Sequence, residues 1–318
     1  MYALQPWKLF AWNETVDDPE SRATMLRILR GIGRSEDDVT VVPRARVAEV
    51  AGEISAWSPE DADGVPWQHR RALVFTPIAI DGREELEALA ADDENGADRG
   101  LKRNLLGLFQ MVRDTHSQES DDTRNLVCWN TQDFGVMNGC PHGCQYCHIG
   151  KWARHTAIGT NLSEYMDRIV NPTIKQHPGQ KCFRLLGWGA DIATFEPEYG
   201  AFATFLTKLA EYPDHYGYFH TAGDNVDWVR DVPHRDRLIG VWSMTCESAS
   251  RLIEPGSPSG TARVEAARKC KDWGLPVRFK FKPMIPVRNW REEYAEMIDL
   301  IFRHARPETL GFCVLMWM

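Results

Sequence analysis

The second half of the chain alternates between strand and helix patterns, and this alternation restricts the folds that it can adopt. From Asn125 onward we predict strands near 126–134, 181–188, 215–222, 238–246, 276–284 and 309–317. Helices are predicted between them, near 161–176, 197–211, 224–231, 260–273 and 290–305. Strands that alternate with helices form a parallel sheet with crossover helices. The predicted fold class is therefore α/β, with a partial (β/α)6 barrel.

The first 124 residues have a different pattern, which is mixed and mainly helical. Helical periodicity covers 19–33 and 101–115, and β-rich runs cover Asp38–Val42 and Arg71–Ile80. We therefore divide the chain into an N-terminal auxiliary domain, 1–124, and a barrel domain, 125–318. The last strand pattern has no helix after it, so we expect the natural chain to continue beyond Met318.

Three cysteines lie within eight residues directly after the first predicted barrel strand. Cys140, Cys144 and Cys147 have the spacing C-x3-C-x2-C, which suits a [4Fe–4S] cluster with three protein ligands and one open iron. A zinc site that adds His142 or His148 is the alternative. Zinc sites usually use separated pairs of ligands, and no second C-x2-C occurs in the chain. The spacing therefore favours the cluster, at the end of the barrel where active sites lie.

With the aromatic Tyr146 before the last cysteine, this motif resembles the signature of the radical S-adenosylmethionine (SAM) superfamily. The resemblance implies that SAM binds the open iron and that its reductive cleavage yields a 5′-deoxyadenosyl radical. It also implies an external electron donor such as flavodoxin or ferredoxin, and it makes Tyr146 a cofactor-binding candidate.

Residues from about 135 to 318 also resemble the spore photoproduct lyase family, which repairs a thymine dimer. The resemblance rests on Ile253-Glu-Pro-Gly-Ser257, the helix from Thr261 to Gly274, Pro276, Pro283 and Trp290. Two positions depart from the family. Trp188 stands where the family has a cysteine that returns a hydrogen atom to the product radical, and His148 stands where a tyrosine is usual. These departures count against thymine-dimer repair, and they do not affect cluster assembly or SAM cleavage.

Three further residues at the end of the second predicted strand are candidates for binding SAM. Gly187 and Gly189 would let its methionine part approach the backbone, and Asp191 could accept from its ammonium group. A tight turn from strand to helix explains the same glycines equally well.

The fourth and fifth barrel strands supply further candidates. The resemblance places Ser243 near the methionine part of SAM. Cys246, at the end of the same strand, is a candidate hydrogen-atom donor, although a buried cysteine is more often a small apolar side chain. Lys282 alternates with apolar residues and would face the SAM carboxylate, unless its strand lies at a solvated edge.

Two acidic residues follow strands at the same end of the barrel. Glu247 and Asp224 could bind hydroxyl or ammonium groups of a substrate, and Asp224 also has the position of a helix N-cap.

Composition makes some classes of function less favoured without excluding them. The net charge of −8 argues against nucleic acid as a partner, because phosphate binding usually needs a basic face. No apolar run is long enough for a membrane span, and the first residues lack a signal-peptide pattern. Eight cysteines without a regular framework indicate a reducing compartment, so we predict a cytoplasmic protein.

The leading functional hypothesis is a radical SAM epimerase that acts on a small molecule. Such an enzyme would remove hydrogen from a sugar carbon and return hydrogen from Cys246, as in epimerases of aminoglycoside (neomycin-type) antibiotic biosynthesis. DNA repair of the spore photoproduct lyase type, and transfer of the aminocarboxypropyl group of SAM, remain as alternatives.

Overall fold

The computed structural model describes residues 4–58, 60, 67–92, 98–114, 131–149 and 153–314. The predicted strand residues 126–130 and 315–317 lie outside these ranges. No helix in the described ranges is long and apolar enough to cross a membrane.

The described residues include eleven strands, which form a single sheet. The strands are β1 (Leu9–Trp12), β2 (Val39–Val42), β3 (Ala72–Thr76), β4 (Val112–Asp114), β5 (Gln132–Asn138), β6 (His155–Gly159), β7 (Cys182–Trp188), β8 (Tyr216–Thr221), β9 (Leu238–Met244), β10 (Val277–Met284) and β11 (Thr309–Val314).

Helices connect these strands. They are α1 (Asn13–Asp17), α2 (Pro19–Gly31), α3 (Val47–Ala56), α4 (Arg83–Ala91), α5 (Arg99–Leu105), α6 (Leu162–Tyr165), α7 (Asn171–Gln176), α8 (Ala201–Leu209), α9 (Glu247–Ile253), α10 (Gly260–Asp272) and α11 (Trp290–His304). A π-helical turn, Met166–Val170, joins α6 to α7, so the helix predicted near 161–176 is one continuous helical run.

The strand order is β11-β10-β9-β8-β7-β5-β6-β3-β1-β2, and β4 pairs with β5. From β5 through β7 to β11, every neighbouring pair is parallel. These six parallel strands with intervening helices confirm the predicted α/β partial barrel.

The N-terminal region contributes to the same sheet. Strands β2, β1, β3 and β6 are parallel to one another, and β6 pairs antiparallel with β5. The β-rich runs at Asp38–Val42 and Arg71–Ile80 are therefore confirmed as sheet strands, whereas β1 and β6 were not predicted. The division of the chain into two domains at residue 124 stays a prediction.

Three predicted element boundaries were wrong. The helix expected over 101–115 ends at Leu105, and Val112–Asp114 form a short strand instead. The helix expected over 224–231 is a single 3-10 turn, Asp227–Arg230. The first barrel strand ends at Asn138, beyond the predicted end at 134, and its described part begins at Gln132.

The two faces of the barrel strands differ in polarity, as predicted for β10. Val277, Phe279 and Phe281 are buried in the main apolar core with residues of α10 and α11, whereas Arg278 and Lys280 are half-buried on the other face. Residues paired across parallel strands share a face. The pairing of the strands therefore places residues of β9, β8, β7 and β5 on the same polar inner face as Lys280.

Opposite charges and hydrogen bonds stabilise the polar inner face. The Arg184 Nε donates to Asp133 Oδ1 at 2.9 Å, and the second bond of this pair comes from Nη2. The Ser243 Oγ lies 2.9 Å from the His220 Nε2. The inside of the partial barrel is thus a polar, charge-paired surface.

A buried carboxyl group gives the fold a predicted pH dependence. Burial raises the pKa of Glu196 to about 7 from 4.5, although the amides of Gly200 and Phe202 donate to its carboxylate. The folded state therefore holds a proton that the unfolded state has lost between these pH values. We expect the free energy of unfolding to fall by up to about 3 kcal/mol as the pH rises through this window.

Urea unfolding at a series of pH values measures this effect. In Glu196→Gln the decrease should disappear, whereas Glu211→Gln, at an exposed carboxylate, should retain it. Identical pH profiles for Glu196→Gln and the unchanged protein would contradict the assignment.

Candidate functional site

The three cysteines lie on the loop that follows the carboxyl end of β5. Gly139 makes the turn out of the strand with φ +104°, and a Cβ at this position would meet the His155 carbonyl oxygen at 2.4 Å. Only glycine has this conformational freedom at so close an approach. The chain therefore leaves β5 at the mouth of the barrel, and the Cys loop, residues 140–147, begins there.

The three thiols share one partly buried environment. Cys144 is buried, and Cys140 and Cys147 are half-buried. Burial raises the pKa of Cys144 to about 12 and that of Cys140 well above its usual value. These thiols would therefore stay protonated unless a cation, such as the iron of a cluster, stabilises the thiolates.

The residues fit a [4Fe–4S] cluster better than a single ion. No three His, Cys, Asp or Glu side chains in the described part of the chain converge as ligands of one metal ion. A cluster distributes its thiolate ligands over separate irons and does not need them to converge on one ion. His142, the alternative zinc ligand, is bound elsewhere, because its Nε2 donates to Asp191 and its Nδ1 lies 3.2 Å from the Gly256 carbonyl oxygen.

A turn from the other side of the barrel supports the Cys loop. The Gln145 amide donates to the Ile253 carbonyl at 2.8 Å, and the Gly256 amide donates to the His142 carbonyl at 2.9 Å. A Cβ at Gly256 would lie 2.3 Å from the Pro141 carbonyl oxygen. The Glu-Pro-Gly turn that the sequence singled out is thus the platform on which the loop rests.

This contact predicts a large effect of a single methyl group. Gly256→Ala should displace the Cys loop, because neither backbone can move aside without losing its hydrogen bonds, and anaerobic reconstitution should recover less than half of the usual iron and sulfide. Gly179→Ala is the matched control, since a Cβ there meets nothing within 4 Å. Full cluster content in Gly256→Ala would show that the close contact is not required.

Asp191 connects the Cys loop to two barrel strands. Its Oδ2 accepts from the His142 Nε2 at 2.7 Å, from the Thr221 hydroxyl at 2.6 Å and from the Ala222 amide at 3.0 Å. Its Oδ1 is buried without a hydrogen-bond partner among the described residues. One oxygen of this carboxylate therefore organises the site, and the other is available to a ligand.

Tyr146 leads from the Cys loop into a fully buried ion pair. Its hydroxyl donates to Glu254, which pairs with Arg263, and both charged side chains are 0% exposed. Arg263 also donates to the Ser243 carbonyl at 3.1 Å and to the Ser250 hydroxyl at 3.0 Å. This network joins the Cys loop to the strand that carries Ser243.

The other predicted cofactor residues lie around the same mouth. Gly187 is the penultimate residue of β7, and Gly189 follows the strand with φ +67° at a point where a Cβ would meet Ile149 of the segment after the Cys loop. Ser243 is half-buried on the inner face, and Lys282 is exposed near the end of β10. Their roles in binding SAM stay predictions.

The residues predicted for catalysis and substrate binding have surroundings that differ from those expected of them. Cys246 is 0% exposed within the apolar core, where it interacts with Glu293 and Tyr294 of α11. Glu247 accepts from the Gly260 amide at 3.0 Å and so joins α9 to α10. Asp224 is exposed, and the 3-10 turn that follows it starts after Val226, so the predicted N-cap role of Asp224 is wrong.

The side chains that support the Cys loop were not predicted from the sequence. Arg71, His142, Glu254 and Arg263 contact the Cys loop or its supporting turn. Glu254 had a signal because it belongs to the Glu-Pro-Gly turn, and His142, within the cysteine motif, was considered only as a zinc ligand. The other partners become visible only when distant segments meet.

A cavity of about 1050 Å³ lies beside the residues that directly follow the Cys loop. His148 and Ile149 line it on the side of the loop, and Asn138 of β5 lines it at the strand end. Arg103 and Met111 also line it. The cavity therefore connects the surroundings of the cysteines with the segment between α5 and β4.

Comparison with known families identifies this arrangement. The family model described as spore photoproduct lyase matches residues 132–312, which include the Cys loop and every strand from β5 to β10. The chain belongs to the spore photoproduct lyase family.

Solved structures show the same fold. Spore photoproduct lyase complexed with dinucleoside spore photoproduct is 15% identical, with a TM-score of 0.65, over 98% of this chain and 78% of that one. A mutant of that lyase with bound AdoMet and dinucleoside spore photoproduct is 14% identical, with a TM-score of 0.64 over the same shares of the two chains. No curated protein matches the chain.

Proposed function

We propose that this protein is a radical SAM enzyme that acts on a dinucleotide lesion, with chemistry of the spore photoproduct lyase type. Family membership over residues 132–312 is the observation that carries the proposal, because the matched region contains the Cys loop and the strands around it. The similarity of fold to a lyase bound to AdoMet and a dinucleoside supports the same choice.

The Cys loop would hold the cluster, with Cys140, Cys144 and Cys147 as thiolate ligands to three irons and SAM at the fourth. When bound, the cluster supplies the electron that splits SAM into methionine and a 5′-deoxyadenosyl radical. Asp191 Oδ1 is a buried acceptor without a partner in the described residues, which suits the ammonium group of SAM. The exposed cation of Lys282 suits the SAM carboxylate.

The cavity beside the Cys loop suits a substrate of dinucleotide size. Its volume of about 1050 Å³ is at the upper end of ligand pockets, whereas a small sugar would fill little of it. Arg83 and Arg154 line it and donate to backbone carbonyls, bonds that leave their positive charge in place. Asp98 also lines the cavity, and the two arginines supply cations that can bind a phosphodiester even in a chain whose net charge is −8.

Hydrogen return must differ from the rest of the family. Trp188 occupies the position where the resemblance places the hydrogen-returning cysteine. Cys246 receives no support as its replacement, because the structure places it in the apolar core against α11. The comparisons also provide no support for epimerisation or for a role in antibiotic biosynthesis, so lesion cleavage is the better proposal.

Turnover of a synthetic lesion tests this proposal. The reconstituted protein, dinucleoside spore photoproduct, SAM and dithionite would be incubated without oxygen, and products identified by liquid chromatography and mass spectrometry. We expect free thymidine together with 5′-deoxyadenosine, because the lesion bond is the only link between the two nucleosides, and no change in undamaged thymidine. SAM cleavage without any conversion of the lesion would overturn the assigned substrate and leave the radical SAM assignment intact.

A further inference from the structure

We propose that Arg71 is a positioning residue whose fixed positive charge raises the reduction potential of a [4Fe–4S] cluster held by Cys140, Cys144 and Cys147. This inference rests on the proposed function, because it requires a cluster on the Cys loop. It assigns an electronic role to a residue of the N-terminal region, which contains no part of the cysteine motif.

The topology of the sheet explains why Arg71 reaches the Cys loop. Strand β6 is antiparallel to β5, and Asn138 pairs with Ala157, so the start of β6 lies beside the exit of β5 toward the cysteines. Strand β3 is parallel to β6, and Ala72 pairs with His155. Arg71, one residue before β3, therefore lies near the end of β5 from which the chain continues to Cys140.

The contacts of Arg71 hold its guanidinium in one place. The side chain donates from Nη1 to the Cys140 carbonyl oxygen, and its Cζ lies 5.0 Å from the centroid of the Trp67 ring. Arg71 is 2% exposed, and its charge interacts with all three thiols of the motif. An arginine guanidinium stays protonated in proteins, so Arg71 is a cation at neutral pH.

The effect on reduction follows from charge alone. One-electron reduction by a low-potential donor adds one negative charge to a cluster whose ligands are thiolates. A cation at a fixed position in a poorly solvated site stabilises the reduced form more than the oxidised form. Outer residues of this kind tune the redox properties of metal centres without binding the metal.

A second arginine provides a matched control. Arg154 precedes β6 as Arg71 precedes β3, and its carbonyl accepts from the Ala72 amide at 3.1 Å. Its guanidinium donates to the carbonyls of Ser55 and Trp57. Two arginines at equivalent positions of neighbouring strands thus differ in their hydrogen-bond partners, since Arg71 binds the Cys loop and Arg154 binds the end of α3 and the residue after it.

The test is an anaerobic redox titration followed by electron paramagnetic resonance, without SAM or substrate. Arg71→Gln keeps a donor for the Cys140 carbonyl and removes the charge, whereas Arg71→Met removes both. For each neutral variant we expect at least a tenfold decrease in the equilibrium constant for reduction, a shift of about 59 mV to lower potential. Arg71→Lys and Arg154→Gln should stay close to the unchanged protein.

Three outcomes would overturn the proposal. The first is an unchanged potential in a neutral variant that holds its cluster. The second is an equal shift in Arg71→Lys and Arg71→Gln, which would assign the effect to shape instead of charge. The third is a cluster in Arg71→Lys and in neither neutral variant, which would make Arg71 an assembly residue. If the unchanged protein binds no cluster, the proposed function fails first and separately.

Discussion

Arg263→Met is expected to lower the free energy of unfolding by about 3–5 kcal/mol, because it leaves the carboxylate of Glu254 buried without a counter-charge. Both side chains of this ion pair are 0% exposed. The substitution also removes the donors to the carbonyls of Ser243 and Pro258. Methionine is similar in length to arginine and fills the same space. The decrease in the free energy of unfolding therefore measures polar contacts more than packing.

Urea unfolding of the variants measures this loss. Arg268→Met in the same helix, α10, is the matched control, because Arg268 forms partly exposed ion pairs with Glu265 and Asp272 and should cost less than about 1 kcal/mol. The double variant Glu254→Gln with Arg263→Met should be less destabilised than the sum of its single variants. Equal losses for Arg263→Met and Arg268→Met would contradict the buried network.

Cys144→Ala is expected to abolish both cluster binding and SAM cleavage. Two remaining thiolates cannot hold a cluster that needs three protein ligands and one open iron. Iron and sulfide analysis and the visible absorbance after reconstitution measure the first loss, and chromatography of the nucleosides measures the second.

Cys313→Ala is the control for this experiment, because it removes a half-buried thiol of β11 that does not belong to the motif. It should retain the cluster content and the cleavage rate within about a factor of two, as substitutions away from the site usually do. Four irons per chain in Cys144→Ala would show that this cysteine is not a ligand.

The sequence was sufficient for the parts of the fold that depend on local pattern. The alternating residues of β10 and the apolar periodicity of α10 follow from which face is buried, and the structure confirms them. The Cys loop could be placed at the mouth of the barrel because it directly follows a predicted strand. Short β1 and β6 escaped prediction because four or five buried residues carry no periodicity.

The partners in the site could not be predicted because they depend on segments far apart in the chain. His142 contacts Asp191 across 49 residues, and Tyr146 contacts Glu254 across 108. The surroundings of Cys246 differ from those that the sequence suggested. Its position at a strand end suggested the barrel mouth, but strand alternation continues through the end of β9 and turns the side chain toward α11.

The central claim is that this member of the spore photoproduct lyase family cleaves SAM by one-electron reduction at the Cys loop. The most direct measurement is to reconstitute the cluster anaerobically, add SAM and dithionite, and identify the released nucleoside. We expect the unchanged protein to form 5′-deoxyadenosine and Cys144→Ala to form none. Methylthioadenosine as the main product would instead indicate aminocarboxypropyl transfer. A cluster-loaded protein that does not cleave SAM would contradict the assignment of radical SAM chemistry to the Cys loop.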